Sequence, residues 1–425
     1  MPTAPQPPAF LEDRPAEIRR GLLTNFTQAR AGAFDLPDPL TSADGRPVAS
    51  ADAWFARRRP EILSMLAEVQ FGRTPPCPEL RAKPDVWETS ASAYGGKAIR
   101  TQATLHLTSP GAGAERQIDV ITYVPANAQE PVPVLLHLWL APAVLAFEDE
   151  GVKEIDGWLL SEHEPARRVR GRDAKSYGFI DVPAFLERGI GVALVYSGQI
   201  EPDFDGGAAL GVRALFPDTS DERPPDAWGA IGAWAWGASR VLDFLCGLPA
   251  ADPKRIAVQG FSRLGKTALW AAAQDERFAA VIDCCSGEGG QALSRRDYGE
   301  TIAHITAPGG FPYWFAPRFA SFAARPDTLP VDAHFLLAMI APRPLLLING
   351  SEDHWADPFG AFLAARAASP VYDLLGRRAL APDAPFPPLD RPTPGDLCYL
   401  VHTEGHGLLD ADRPHILDFL ERALR

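Results

Sequence analysis

Residues 255–270 read Arg-Ile-Ala-Val-Gln-Gly-Phe-Ser-Arg-Leu-Gly-Lys-Thr-Ala-Leu-Trp. Ile256 to Val258 have the apolar, β-branched character of a short strand, and Thr267 to Ala273 are good helix formers. Gly260-Phe261-Ser262 must therefore turn sharply between them. A strand, a tight turn and a helix in that order hold a serine hydroxyl clear of a sheet edge on strained backbone, which makes Ser262 the candidate nucleophile. Arg263 follows it directly, and Lys266 lies four residues on, one helical turn away and on the same face. Beside a helix N-terminus these two cations make an electropositive surface suited to a developing oxyanion or an acidic substrate. A serine that only caps the helix is the plainer alternative. The strand-turn-helix context favours the nucleophile.

Outward from this turn, unbroken apolar runs recur at Val132 to Leu140, Val192 to Tyr196, Ala279 to Ile282 and Pro344 to Ile348. Such runs suit parallel strands covered on both faces. Helical stretches lie between them, at Val182 to Arg188, Trp228 to Leu248 and Arg263 to Gln274. Upstream, Lys97 to Leu107 and Gln117 to Val124 alternate apolar and polar residues with period two, as half-buried antiparallel strands do. The pattern predicts an α/β fold entered through an antiparallel edge. With the serine turn it specifies the α/β-hydrolase fold, a three-layer αβα sandwich around a mostly parallel sheet. Residues 1–45, rich in Pro, Ala and Asp, read as an extended leader that wraps the surface, and residues 46–425 as a single catalytic domain. The Pro-rich stretch Ala381 to Pro394 reads as a loop near the site or a surface excursion.

The 425 residues, 46% hydrophobic and 22% charged, are those of an ordinary globular protein with a large core. A net charge of −13 argues against nucleic acid and anionic membrane as partners. The five cysteines show no Cys-x-x-Cys spacing, so neither a disulfide framework nor a metal site is expected. No run reaches about 18 uninterrupted apolar residues, so no membrane span is expected. The N-terminus has no basic head followed by an apolar run. That fits a cytoplasmic protein or a secreted or periplasmic one whose leader has been removed; a monomer is expected.

A serine nucleophile needs a base and an acid, in the chain order Ser, acid, His for this fold. Of nine histidines, His106, His137 and His163 precede the serine, while His304 and His334 fall in helix-like segments. His406 sits in Thr-Glu-Gly-His-Gly, after the strand Leu397 to Val401 and before a terminal helix that Asp412 is expected to cap. Its flanking glycines let the imidazole lean over the turn. His402 is the rival, placed to pack or cap. The acid belongs at the end of Pro344 to Ile348, where Asp353 is preferred over its neighbour Glu352 and Asp357 reads as an N-cap before Pro358.

Six strings in order carry a resemblance over nearly the whole chain: Gly-Phe-Ser262-Arg-Leu-Gly-Lys266, Trp228-Gly-Ala-Ile-Gly-Ala-Trp-Ala-Trp-Gly-Ala-Ser-Arg240, Ser286-Gly-Glu-Gly-Gly290, Gly299-Glu300-Thr301, Phe311-Pro-Tyr-Trp-Phe315 and Asp353-His-Trp355-Ala-Asp-Pro358. They resemble the bacterial glucuronoyl esterases, a carbohydrate esterase family that cleaves lignin-carbohydrate esters. The resemblance implies a cofactor-free serine esterase acting on (4-O-methyl-)glucuronic acid esters such as those of glucuronoxylan. Arg263 would then serve the oxyanion, and Lys266, Glu300 and Trp355 would hold the sugar. A short-chain carbohydrate esterase such as an acetyl-xylan esterase, and a catalytically silent carbohydrate-binding protein, are the alternatives; a plainer reading makes Lys266 and Glu300 an ion pair, Trp355 a core residue and Arg263 a surface cation. The chain departs from the family at Cys285, where some members carry the acid, at Glu288, a usually small position, and after Leu136, where the second oxyanion donor is expected.

Overall fold

The computed structural model describes residues 7–8, 11, 13–111, 115–159, 167–170, 175–216 and 223–425. His163 lies outside them, as do parts of the leader.

Nine strands form one sheet: β1 (Arg81–Ser92), β2 (Ala98–Thr108), β3 (Arg116–Pro125), β4 (Val132–Trp139), β5 (Gly191–Tyr196), β6 (Ala251–Phe261), β7 (Ala280–Cys284), β8 (Leu345–Gly350) and β9 (Leu397–His402). Their spatial order is β9-β8-β7-β6-β4-β5-β3-β2-β1. From β9 to β5 every pairing is parallel, and from β5 to β1 every pairing is antiparallel. The apolar runs predicted the first group and the period-two alternation the entry to it.

The strands with unbroken apolar sequence are covered on both faces. Val134, Leu136 and Leu138 of β4 enter one core, together with Ile231 and Trp234 of α2 (Ala230–Gly247), Ala268 and Leu269 of α3 (Arg263–Gln274), and Phe359 and Phe362 of α4 (Pro358–Leu374). The intervening Leu135 and Trp139 enter the other, against Val182 and Phe185 of α1 (Val182–Glu187) and Ile416, Leu417 and Leu420 of α5 (Arg413–Ala423). Side chains alternate across a strand, so both cores draw on each one. A phenylalanine fully removed from water, such as Phe362, contributes about 1.5–3 kcal/mol. Among the described residues no helix is long and apolar enough to cross a membrane.

One strand escapes the sequence reading, and one expectation needs correction. Strand β1 was not among those predicted, because it is exposed along nearly its whole length and shows no apolar alternation. Its lysine, proline and acidic residues are those of a protected sheet edge. Asp412 does not cap α5 with its side chain. It accepts from Leu409 N at 2.9 Å and pairs with His402, so its carboxylate serves the loop before the helix.

Leaving β4, the chain crosses to β5 on one side and returns to β6 on the other. In open α/β sheets the crevice at such a reversal, beyond the carboxyl ends of the strands, is where ligands bind. Ser262 directly follows β6 there.

Candidate active site

The turn after β6 is strained as the sequence requires. Ser262 has φ 56° and ψ −124°, a left-handed value for a residue with a side chain. Such backbone costs on the order of 1–3 kcal/mol and persists only where its surroundings hold it. Here they do. Ser262 N donates to Cys284 O at 2.8 Å, and Gly265 N donates to Ser262 O at 2.9 Å. The turn closes so tightly that a Cβ at position 260 would lie 1.9 Å from Leu264 O, so only glycine fits. Arg263 opens α3, whose first backbone N–H groups lack intrahelical acceptors and face the serine end.

The loops after β8 and β9 are bound to each other. Ser351 N donates to His402 O and Glu352 N to Glu404 O, each at 2.9 Å. A Cβ on Gly350 would come within 2.2 Å of Gly405 O, so glycine at that strand end lets the histidine loop close in. His402 holds the loop from beneath, with Nδ1 3.1 Å from Asp412 and Nε2 3.1 Å from Gly405 O. Burial works against its charged form, yet the Asp412 carboxylate and that carbonyl raise its pKa above the ordinary value.

These contacts bring Asp353 and His406 together. His406 Nδ1 donates to Asp353 Oδ2 at 2.6 Å, and Asp353 Oδ1 accepts from Ala356 N at 3.2 Å. A carboxylate can only accept, so the bond puts the imidazole hydrogen on Nδ1 and leaves Nε2 as the basic nitrogen. The imidazole packs on the ring of Phe261, the residue before the serine, with centroids 4.7 Å apart. The Asp353 side chain is 3% exposed and that of His406 41%, so the pair runs from the protein interior to its surface. Glu352 is exposed and has no side-chain partner among the described residues. Cys285 also reaches this place: its sulfur, an Asp353 oxygen and a His406 nitrogen all lie within 4.8 Å of one another.

The cationic residues are held differently from one another. The Arg263 guanidinium is no surface cation; it donates to Asp203 at 2.5 Å and lies 4.5 Å over the ring of Trp314. Asp203 also accepts from Tyr313 OH at 2.9 Å and Trp314 Nε1 at 2.7 Å. Sequence reasoning missed Asp203, and only its neighbours in the Phe311 to Phe315 string gave a signal. Lys266 is buried and donates to the Ser286 carbonyl. Burial pushes its pKa down, with the charge of Glu300 acting the other way. Glu300 is paired, at 2.6 Å, with Arg20 of the leader and not with Lys266. Trp355 is half-buried, not a core residue, and stands beside His304, ring centroids 5.3 Å apart. Its carbonyl accepts from Glu300 N at 2.9 Å, which binds the two predicted sugar contacts to each other.

Two buried acids flank Lys266. Burial lifts Asp283 to about 7, against the hydroxyl of Ser286, which donates to it at 2.6 Å. Glu288 is lifted by burial to about 8 and accepts from Ser294 Oγ at 2.5 Å. Its side chain is thus spent inside the protein.

A parallel sheet that reverses its strand order beside a strained serine, with an acid loop after β8 and a histidine loop after β9, defines an α/β hydrolase. The comparisons narrow the class. A sequence model described as glucuronyl esterase of fungi matches residues 224–376. The carbohydrate esterase MZ0003 of an unknown prokaryotic organism is 36% identical over 367 residues, spanning 84% of this chain and 82% of that one. A 4-O-methyl-glucuronoyl methylesterase of Schizophyllum commune is 30% identical over 355 residues, spanning 80% and 74%. The solved glucuronoyl esterase from Solibacter usitatus superposes with a TM-score of 0.85 at 36% identity, covering 93% of this chain and all of that one. The chain belongs to the glucuronoyl esterase family, and it is a carboxylic ester hydrolase.

Proposed function

We propose that this chain hydrolyses esters of (4-O-methyl-)glucuronic acid, as in lignin-carbohydrate linkages, by nucleophilic catalysis through Ser262, His406 and Asp353. The observation that carries the reading is the 2.6 Å contact between His406 and Asp353 beside a serine held at φ 56°. Nε2 of His406 takes the hydroxyl proton as Ser262 Oγ attacks the ester carbonyl. Asp353 holds the tautomer and stabilises the imidazolium without taking the proton. Charge develops on the carbonyl oxygen against the N-terminus of α3 and Arg263. Each preorganised donor of that kind is worth about 10²–10³-fold in rate. The alcohol departs with the proton from His406; His406 then takes a proton from water as it attacks the acyl-enzyme, and returns it to Ser262 Oγ as the glucuronic acid leaves.

Lys266, Glu300 and Trp355 are assigned to the sugar. The ammonium and carboxylate offer a donor and an acceptor to hydroxyls, and the indole an apolar face. The test is hydrolysis of benzyl glucuronate compared with an aryl acetate, with Ser262 labelled by a fluorophosphonate. Fast cleavage of the glucuronate and an adduct on Ser262 are expected. Preference for the acetate would move the chain toward the short-chain carbohydrate esterases, and labelling elsewhere would remove Ser262 from its role.

A further inference from the structure

The predicted sugar contacts receive a residue from far upstream. Glu17–Arg19 pairs antiparallel with Leu22–Thr24, Ile18 opposite Leu23. The two residues that join them, Arg20 and Gly21, have φ 49° and 77°. Two left-handed residues make the type I′ turn, whose first position favours Asn, Asp or Gly. Arginine there is strained. The hairpin is fastened at its base: Thr24 Oγ1 lies 2.9 Å from His304 Nε2, Asn25 O accepts from Gly299 N at 2.9 Å, and Phe26 meets Tyr298 edge-on at 6.0 Å.

From that base Arg20 reaches over the site. Its guanidinium donates to Glu300 Oε1 at 2.6 Å and to His304 O at 3.3 Å, and it lies over the rings of Phe311 at 4.6 Å and Trp355 at 5.4 Å. Glu300 Oε2 accepts no hydrogen bond from the described residues. A turn that only reversed the chain would be better served by asparagine. The strained residue here is the one whose long, planar cation spans the gap to the carboxylate.

We propose that Arg20 is a positioning residue for the glucuronate site: it occupies Oε1 of Glu300 and so presents Oε2 as the acceptor for a sugar hydroxyl. The proposal rests on the reading of Glu300 as a sugar contact. Arg20 acts through Glu300 and not on the ester, so its effect belongs to binding of the uronate.

The experiment uses Arg20→Asn, which suits the turn and removes the guanidinium, with Arg20→Lys as the conservative partner. For each, KM and kcat on benzyl glucuronate and on an aryl acetate are measured with the melting temperature. Arg20→Asn is expected to hold or raise the melting temperature and to raise KM for benzyl glucuronate roughly tenfold, with kcat changed less and the acetate affected far less. Arg20→Lys recovers part of the loss. On a Glu300→Gln background Arg20→Asn adds little, because the two act as a unit. If Glu300→Gln raises KM and Arg20→Asn does not, the proposal is wrong while the sugar role of Glu300 stands. Equal losses on both substrates with a lower melting temperature make Arg20 a structural residue only. If Glu300→Gln itself leaves KM for the glucuronate unchanged, the sugar reading of Glu300 fails and takes this proposal with it.

Discussion

The loops that carry Ser262, Asp353 and His406 and the wall around Glu300 and Trp355 are built in contrasting ways. Ser262, Asp353 and His406 follow β6, β8 and β9, so the register of a parallel sheet places all three. The wall shares that frame only at Trp355, which stands in a short 3-10 turn (His354–Ala356) two residues beyond Asp353. Glu300 lies on an irregular segment joined to it through backbone, and Arg20 reaches them from a hairpin 280 residues upstream of Glu300. On the proposed mechanism the first region needs sub-ångström geometry for bond making, and a sheet supplies it. On the same reading the second fits a substrate, and loops can vary without disturbing the strands.

The comparison breaks most directly at the serine. Ser262→Ala and His406→Ala are each expected to lower kcat/KM on every ester by about 10⁴-fold or more, with the fold intact by circular dichroism. A His402→Ala enzyme that loses more activity than His406→Ala would exchange the two histidines.

Asp353→Asn comes next, with kcat falling by about 10³–10⁴-fold as the wrong imidazole tautomer is favoured. Glu352→Gln stays close to the parent. Because Cys285 Sγ shares the 4.8 Å neighbourhood of Asp353 and His406, Cys285→Glu in the Asp353→Asn background is expected to restore part of the rate. Single-turnover rates on one glucuronate ester decide it; no recovery would mean that a carboxylate at 285 does not reach the imidazole.

Substitutions among the proposed sugar contacts sharpen the contrast, since they should discriminate between substrates where those of the proposed triad do not. Lys266→Ala and Glu300→Ala are expected to cost about 10- to 100-fold in kcat/KM on a methyl glucuronate and far less on an aryl acetate. Parallel losses on both would place these residues in the support of the fold.

The smallest effect concerns stability and pH. Burial raises the Glu288 carboxyl from 4.5 to about 8, so the folded state keeps a proton that the unfolded state has released. That lowers stability as pH rises from 4.5 toward 8, and the full penalty is present above both values. Glu288→Gln should therefore melt a few degrees higher than the parent at pH 9 and close to it at pH 4. A gain of equal size at both values would trace the effect to packing.

What could be read in the sequence follows the same division. The turn at Gly260 to Ser262 announces itself because strand, turn and helix are contiguous, and His406 and Asp353 are found by their places after strands. Strand β1 was invisible because it buries neither face. Asp203 was missed because what makes it matter, the convergence of Arg263, Tyr313 and Trp314 on one carboxylate, joins segments 60 to 111 residues apart. The partner of Glu300 was missed for the same reason: pairing Arg20 with it requires the whole fold to be in place.

That separation also sets an order of events during synthesis. The hairpin that bears Arg20 leaves the ribosome 280 residues before the carboxylate it will bind. At about 5–20 residues per second it waits roughly 15 to 60 s for that partner. A two-stranded hairpin alone is at best marginally stable in water. A hairpin made 280 residues ahead of its partner is therefore among the later parts to acquire its final form, and the contact around Glu300 closes only after the strands made in between are in place.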